Sequence, residues 1–203
     1  MDLRERILDA TVTLIEAEGL AALSTREVAR RAGVSHQAPY HHFTDRQAIL
    51  AAIAEEGFKR LNARLASAAG KSGRDAATHL AEACRAYVEF AASNPAYFRV
   101  MFRPELVSLD NYPSARAEAR RAFAALEALV KGAVKDKVVA PSLADGTVLV
   151  AWEFVQGLSW LSIEGPLAKM ATEGLTADDQ VESALRAYKS LLAGRKTAKK
   201  PGR

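Results

Sequence analysis

Apolar residues recur every three or four positions along most of the chain, and this spacing predicts helices. Leu3, Ile7, Thr11 and Leu14 fall on one stripe of a 3.6-residue period, so residues 2–18 are expected to form an amphipathic helix. Alanine is abundant and runs of β-branched residues are almost absent, which favours helix over strand. The pattern predicts an all-α fold of about nine helices.

The stretch that follows divides into two short helical segments. Ser24 and Glu27 have the spacing of a capping box, and Gly33 ends the helix that they begin after about two turns. Ser35 can then cap a third helix. Two short helices that are separated by three or four residues, with glycine inside the turn, are typical of a helix-turn-helix pair. Together with the first helix they predict a three-helix N-terminal domain, residues 1–46.

Longer helices follow this domain. Capping residues and apolar stripes predict them from Thr44 to about residue 68, across residues 80–91 up to Asn94-Pro95, over 114–138, from Ser142 to 165, and over 176–192. They define a predicted regulatory and dimerisation domain, residues 47–192, and a basic tail, residues 193–203. The most apolar stretch, residues 146–163, is shorter than a membrane span and contains Glu153. It is therefore predicted to be a buried helix, and no membrane association is expected.

Net charge supports a basic patch in one region and not across the whole protein. The formal net charge is +4 at pH 7, but the tail contributes +5, so the remaining residues carry about −1. The tail cations would either touch flanking phosphates or be solvated. Residues 24–50 carry an excess of two positive charges together with three histidines. This segment is the candidate for binding an anionic partner.

The cysteine content and the N-terminal residues indicate in which cellular compartment the protein is expected. The single cysteine, Cys84, rules out an internal disulfide and a cysteine-cluster metal site. The first residues, MDLRERILDA, alternate charged and apolar side chains and lack the continuous apolar stretch of a signal peptide. A cytoplasmic protein is therefore expected.

Three of the four histidines lie in one short segment, GVSHQAPYHHF (residues 33–43). His36, His41 and His42 are spaced by five and one, which does not place them on one helix face as zinc ligands require. No acidic residue lies among them to form a catalytic pair. The sequence therefore predicts no metal site, no cofactor and no catalytic residue in this segment.

A surface that reads DNA accounts for more of these residues. A helix that enters the major groove carries polar side chains in its first turn, and Gln37 can bond adenine through both groups of its amide. Ala38 is small enough to admit a thymine methyl group. Other polar residues suit phosphate oxygens, including two at the start of the preceding helix. The predicted DNA-binding residues are Thr25, Arg26, Ser35, His36, Gln37, Ala38, Tyr40, His42 and Arg46.

Residues 3–58 resemble the DNA-binding domain of TetR-family transcriptional regulators. The matching run reads TREVARRAGVSHQAPYHHFTDRQAIL, in which the family pattern is met at Ala29, Ala32, Gly33, Val34, Ser35, Tyr40, His42, Phe43, Asp45 and Arg46. The resemblance implies a non-enzymatic homodimer that places two recognition helices in successive major grooves. Pro39 departs from the pattern, which has Leu or Ile there. It is expected to fill the same inward site and to give the third helix a slightly opened or 3₁₀-like start.

The C-terminal two-thirds resembles the regulatory domain of the same family. AWEFVQG (residues 151–157) is similar to the motif of the WHG-type subgroup, with Gln156 where histidine is usual. Because helix 143–164 is apolar on nearly every side, it is expected to pack both on its own domain and on a second copy of the chain, beside helix 176–192. Such a two-fold bundle would hold two reading heads about 34–36 Å apart on a pseudo-palindromic operator.

Aromatic residues of this domain could line a cavity or fill the core. An apolar pocket with one or two polar groups is the usual small-molecule site, and the resemblance implies that such a pocket binds an effector. The predicted ligand-binding residues are Tyr87, Phe90, Phe98, Met101, Phe102, Trp152 and Gln156. The sequence thus predicts a repressor that an unidentified small molecule releases from double-stranded DNA by shifting the helix at 45–68.

Two other classes of protein stay open at this point. One is a helical protein-interaction module whose reading head no longer binds DNA, and the other is an all-helical enzyme that uses the histidines. A regulator differs from both because its binding to duplex DNA weakens steeply as salt rises, since phosphate contacts release counterions.

Overall fold

Every regular element in the described part of the protein is helical. The computed structural model describes residues 2–69, 75–165 and 176–193. Within these ranges the α-helices are α1 (Leu3–Glu18), α2 (Thr25–Arg31), α3 (Arg46–Ala69), α4 (Ala76–Ser93), α5 (Pro95–Met101), α6 (Pro113–Lys135), α7 (Ala144–Ile163) and α8 (Ala177–Ala193). Short 3₁₀ helices occupy Leu20–Ala22, Ala38–His41, Leu109–Asn111 and Pro141–Leu143. The predicted all-α fold is confirmed. None of these helices is both long and apolar enough to cross a bilayer.

The chain forms two compact units whose limits differ from the predicted domains. Unit 1 comprises Met1–Arg60 and Asn94–Arg120, and unit 2 comprises Leu61–Ser93 and Arg121–Arg203. Both divisions fall inside a long helix, α3 or α6, because a continuous helix can contribute residues to two cores. The domain boundary predicted at residue 46 comes from the helix-turn-helix motif. It remains a prediction of which residues bind DNA. The predicted tail lies beyond the described residues from position 194 onward.

Unit 1 is built around α1, which packs on α2 and on α5. Its core includes Ile7, Leu14 and Phe98, which are fully buried. Phe102 connects α5 to α3, since its ring lies 4.9 Å from that of Phe98 and 5.4 Å from that of Phe58.

The contact of α3 with α5 is unusually close. A Cβ atom placed on Gly57 would lie 2.5 Å from the Met101 sulfur, so glycine is the residue that allows the two helices to approach. Arg60, one turn further along α3, lies 4.5 Å from the centre of the Tyr97 ring. Tyr97 and Met101 of α5 thus both pack against α3.

Unit 2 is built around α4, which packs on both α7 and α8. An ion pair between Arg85 and Glu182 joins α4 to α8. The rings of Phe154 and Tyr188 stack with their centres 4.5 Å apart and so join α7 to α8. The three helices form a packed layer in which α7 leaves part of its surface uncovered by this chain.

Helix caps show which local predictions hold. Ser24 accepts a hydrogen bond from the Glu27 amide (3.2 Å), and Asp179 and Thr176 form the predicted reciprocal cap of α8. Three predicted caps are wrong. Ser35 does not cap the segment after Gly33, because the 3₁₀ helix Ala38–His41 follows Gln37 and has no side-chain cap. Asp45, and not Thr44, caps α3 by accepting from the Ala48 amide at 2.8 Å, because its carboxylate lies three residues before that amide.

The predicted cap of α7 by Ser142 is the third error. Ser142 lies inside the 3₁₀ helix Pro141–Leu143, and α7 begins at Ala144 without a side-chain cap. Pro141 fixes the backbone angle that starts this tight turn. The first turn of α7 is instead tied down by Thr147, whose hydroxyl donates to the Leu143 carbonyl at 2.8 Å.

Candidate nucleic-acid interface and apolar cavity

The turn after α2 is fixed by backbone conformation and by a distant arginine. Gly33 has φ +65°, in the left-handed region that favours glycine. The amide of Val34 donates to the Ala29 carbonyl at 3.0 Å, which closes the end of α2. The Arg6 guanidinium of α1 donates to the Ala32 carbonyl at 2.7 Å. No local sequence signal points to Arg6, because its partner lies 26 residues further along the chain.

The segment after this turn is a 3₁₀ helix throughout, and the predicted α-helix with a 3₁₀-like start is therefore wrong. The Tyr40 amide donates to Gln37 (3.1 Å) and the His42 amide to Pro39 (3.1 Å), which is the three-residue spacing of a 3₁₀ helix. Pro39 has no amide hydrogen and its ring crowds the preceding turn, so the segment starts with three-residue bonds, and a bond of four-residue spacing, from the Phe43 amide to the Pro39 carbonyl (2.9 Å), forms only at its end. Pro39 is buried, as predicted for a ring that fills the inward site.

Most of the predicted DNA-binding residues are exposed along this segment. Thr25 is half-buried, and Ala38, at 9% exposure, points away from solvent. The tighter 3₁₀ period turns Ala38 inward, beside Pro39. His41, outside the predicted set, is exposed as well. The exposed predicted residues are Arg26, Ser35, His36, Gln37, Tyr40, His42 and Arg46.

Ion pairs divide the arginines of this region into two groups. Glu27 accepts from Arg30 at 2.5 and 2.8 Å and from Arg31 at 3.1 Å. The hydrogen bond from Arg30 is the main cause that lowers the Glu27 pKa to about 2, so this carboxylate stays ionised at all physiological pH values. Arg26 and Arg46 make no ion pair with any residue in the described ranges, and both are exposed. The positive charge available to a phosphate therefore lies at Arg26 and Arg46.

Replacing Gly33 by alanine tests the turn. Gly33→Ala is expected to lower the free energy of unfolding by about 1–2 kcal/mol, because a Cβ atom is unfavourable at φ +65°. Gly132→Ala is the matched control. Gly132 lies inside α6 with no atom near its added Cβ, so this change should raise stability by about 0.5–1 kcal/mol. Urea denaturation of both variants measures the difference, and equal stability changes would contradict a strained turn at residue 33.

Unit 2 contains a partly open apolar cavity of about 390 Å³, within the range of small-molecule sites. Its wall is formed by residues of α3, α4, α6 and α7 that all belong to this unit. Tyr87 of α4 and Trp152 of α7 line it, and their rings meet edge to face with centres 6.1 Å apart. The Trp152 ring also packs against that of Phe123, with the ring centres 5.6 Å apart.

The predicted ligand-binding residues fall into three places. Tyr87 and Trp152 line the cavity, and Gln156 donates to the Tyr87 hydroxyl at 2.8 Å from just outside the wall. Phe90 is buried in the core of unit 2 and is not a lining residue. The remaining three residues belong to unit 1, where they pack among α3 and α5 and do not line the cavity: Phe98, Met101 and Phe102.

The largest part of the wall comes from α6, which the sequence reasoning did not select. The helix presents Ala122, Ala125, Leu126 and Leu129 to the cavity, at the i, i+3, i+4, i+7 spacing of one helix face. Small alanine side chains on an inward face leave space that larger residues would fill. This spacing was the available signal, and it was hidden within a segment that is rich in alanine throughout.

Two family models match the chain. The model "Bacterial regulatory proteins, tetR family" matches residues 7–53, and the model "Tetracyclin repressor-like, C-terminal domain" matches residues 80–188. The chain is also 28% identical over 111 residues to YobS of Bacillus subtilis (strain 168), described as an uncharacterized HTH-type transcriptional regulator. That match spans 52% of this chain and 57% of the relative.

Solved structures share the fold over nearly the whole length. A protein of unknown function from Rhodococcus sp. RHA1 is 31% identical, with a TM-score of 0.76 over 95% of this chain and 96% of the other. The TetR-family regulator PfmR of Thermus thermophilus is 23% identical, with a TM-score of 0.71 over 100% of both chains. At that identity the second likeness concerns the fold alone.

Proposed function

Because the chain belongs to the TetR family of bacterial transcriptional regulators, we propose that it is a homodimeric repressor that binds a pseudo-palindromic operator and leaves it when a small molecule binds. It acts by binding and not by catalysis. The observation that supports this most is the exposed segment around Gln37, which follows a turn fixed by Gly33 and Arg6 and lies between the exposed Arg26 and Arg46 in the sequence. Binding to chromosomal DNA would place the protein in the cytoplasm.

In the proposed complex the exposed side chains divide between bases and backbone. The Gln37 amide has one donor and one acceptor that match an adenine edge in the major groove. Arg26, at the first turn of α2, and Arg46, at the first turn of α3, bind phosphates. His36 lies beside Tyr40, with ring centres 6.1 Å apart, and these rings flank the Gln37 position. Ala38 is left out of the proposed contacts because it is buried.

Gln37→Ala and Arg46→Ala are expected to weaken DNA binding in different ways. Gln37→Ala should lose about 1–3 kcal/mol of discrimination at one base pair and leave binding to unrelated duplexes unchanged. Arg46→Ala should weaken binding to all sequences and reduce the slope of log affinity against log salt by about 0.9 for each phosphate that the arginine no longer neutralises. Fluorescence anisotropy on an operator selected from random duplexes, at several salt concentrations, measures both.

Lys131→Ala is the control for these variants, since Lys131 is an exposed cation on α6, away from the reading segment in the sequence. It should bind the operator like the unmodified protein. A selection that enriches no palindrome, or an Arg46→Ala variant with an unchanged salt slope, would count against the proposal.

The proposed dimer uses the uncovered surface of α7 and α8. Leu149 and Val150 of α7 are 57% and 55% exposed, and Leu161 and Leu191 are exposed too. Large apolar side chains grouped on adjacent helices mark an interaction surface. A two-fold axis through this surface would pair α7 and α8 with their counterparts in a four-helix bundle.

The proposed effector site is the cavity of unit 2. The helix α3 begins at Arg46, and three of its last residues, Asn62, Leu65 and Ala66, line the cavity. A ligand that displaces the end of a continuous helix can move its beginning, so α3 is the proposed link between effector and DNA. To change operator occupancy from 99:1 to 1:99, the ligand must prefer the released state by about 10⁴, or about 5.5 kcal/mol.

A further inference from the structure

The wall of the cavity in unit 2 is almost entirely apolar. α6 contributes a row of alanine and leucine side chains, and α7 contributes Trp152 and Val155. Among the lining residues in the described ranges, Arg121 is the one with a formal charge, and no aspartate or glutamate takes part. A cationic ligand therefore meets no carboxylate in this wall.

The wall contains few polar groups, and one of them, the Tyr87 hydroxyl, is already hydrogen-bonded. The Tyr87 hydroxyl accepts a hydrogen bond from Gln156 at 2.8 Å, and its burial raises its pKa well above the usual value. Asn62 and Arg121 each interact with other groups of the chain, and the Arg121 side chain is exposed. A ligand that bonds to the Tyr87 hydroxyl would therefore have to compete with Gln156.

The Cys84 sulfur also lies in the wall, and it behaves as an apolar group. Cys84 is 2% exposed, and burial raises the pKa of its thiol to about 12. The thiol is therefore uncharged at physiological pH and is not a nucleophile. It adds a small, polarizable surface to the same wall as the ring of Tyr87.

These observations restrict the charge of the ligand. A charged group that enters an apolar site loses its hydration and must find a partner there to compensate. Among the described lining residues, an anion would find such a partner at the exposed Arg121, and a cation would find no carboxylate. We infer that the effector is an uncharged, largely apolar molecule, with its body against Trp152 and the alanine face of α6. The inference rests on the proposed effector role of this cavity.

A pair of fluorescent probes with the same skeleton tests the charge. N-phenyl-1-naphthylamine is uncharged, and 1-anilinonaphthalene-8-sulfonate is the same molecule with one sulfonate added. The uncharged probe should bind the full-length protein about tenfold more tightly or better, because the sulfonate loses hydration in an apolar wall. In Trp160→Phe, Trp152 is the one tryptophan of the chain, and quenching of its emission by the bound probe places the probe beside it.

Two alanine substitutions on α6 show whether the probe occupies the cavity. Ala125 lines it, and the neighbouring Ala124 is exposed and does not. Ala125→Phe fills part of the space and should weaken binding of the uncharged probe about tenfold or more, whereas Ala124→Phe should leave it unchanged. The pair adds the same ring to the same helix, so a general effect on α6 would appear in both variants.

Two results would overturn the inference. Equal or tighter binding of the sulfonate that is lost in Ala125→Phe and weakened in Arg121→Gln would identify an anionic ligand held at Arg121. Probe binding that Ala125→Phe leaves unchanged would show that the cavity is not the site. Operator binding, measured on the same samples, is the independent readout: its absence would refute the proposed function, whereas a reversed charge preference with intact operator binding would refute this inference alone.

Discussion

Leu149→Glu is expected to convert the proposed dimer into a monomer and to weaken operator binding by roughly 10²–10⁴-fold. Leu149 is 57% exposed on the apolar surface of α7, so glutamate can be accommodated in an isolated chain. In the two-fold bundle, the same change places two carboxylates near one axis, where burial of each charge is unfavourable. The affinity falls because the second reading head is no longer tethered near its half-site.

Sedimentation velocity and operator titration measure these two effects separately. Ala124→Glu, which adds the same charge at an exposed position of α6, should remain dimeric and bind the operator normally. The thermal stability of isolated Leu149→Glu should change little, since surface substitutions usually alter it by less than about 0.5 kcal/mol. A dimeric Leu149→Glu protein that binds DNA tightly would exclude this surface as the interface.

Phe98→Ala is expected to lower the free energy of unfolding by about 3–5 kcal/mol. Its side chain is fully buried in unit 1, against the ring of Phe102, and alanine would leave a void that the surrounding helices cannot close. Phe98→Leu retains most of the volume and should cost much less. Chemical denaturation of the two variants gives the difference.

The same pair of variants separates a core residue from a ligand contact. Because Phe98 does not line the cavity, Phe98→Leu should bind the uncharged probe like the unmodified protein. Weaker probe binding without a loss of stability would instead show that Phe98 contacts the ligand, as the sequence alone predicts.

Features that depend on a few neighbouring residues were predicted in part, since the caps expected at Thr44 and Ser142 do not form. The Ser24 and Thr176 caps and the glycine turn at Gly33 each depend on residues within a few positions. The sequence predicts correctly that Pro39 favours a 3₁₀ conformation, but it does not predict that the whole helical segment adopts it. The Phe43 amide also bonds back to Pro39, at 2.9 Å, so the segment turns directly into the buried Phe43 and has no length over which an α-helix could form.

The cavity was only partly predictable because its existence depends on the placement of four helices. Tyr87 and Trp152 were selected as aromatic residues, but the same reasoning selected Phe98 and Phe102, which fill space instead of bounding it. The size of an aromatic side chain does not show whether it will line a cavity or fill the core. The residues that leave room are the alanines of α6, and a single sequence does not show which face of that helix lacks a packing partner.

The pairing of Arg30 and Arg31 with Glu27 limits how the regulator responds to its ionic surroundings. With these two arginines engaged by the carboxylate, each subunit offers Arg26 and Arg46 to the backbone, or four such cations in a dimer. At about 0.9 per phosphate, a slope near −3.6 results, which is roughly a hundredfold loss of affinity between about 50 and 200 mM salt. If the proposed dimer binds DNA in this way, a cell under osmotic stress would retain more of this regulator on its operator than of one with a fully basic reading head.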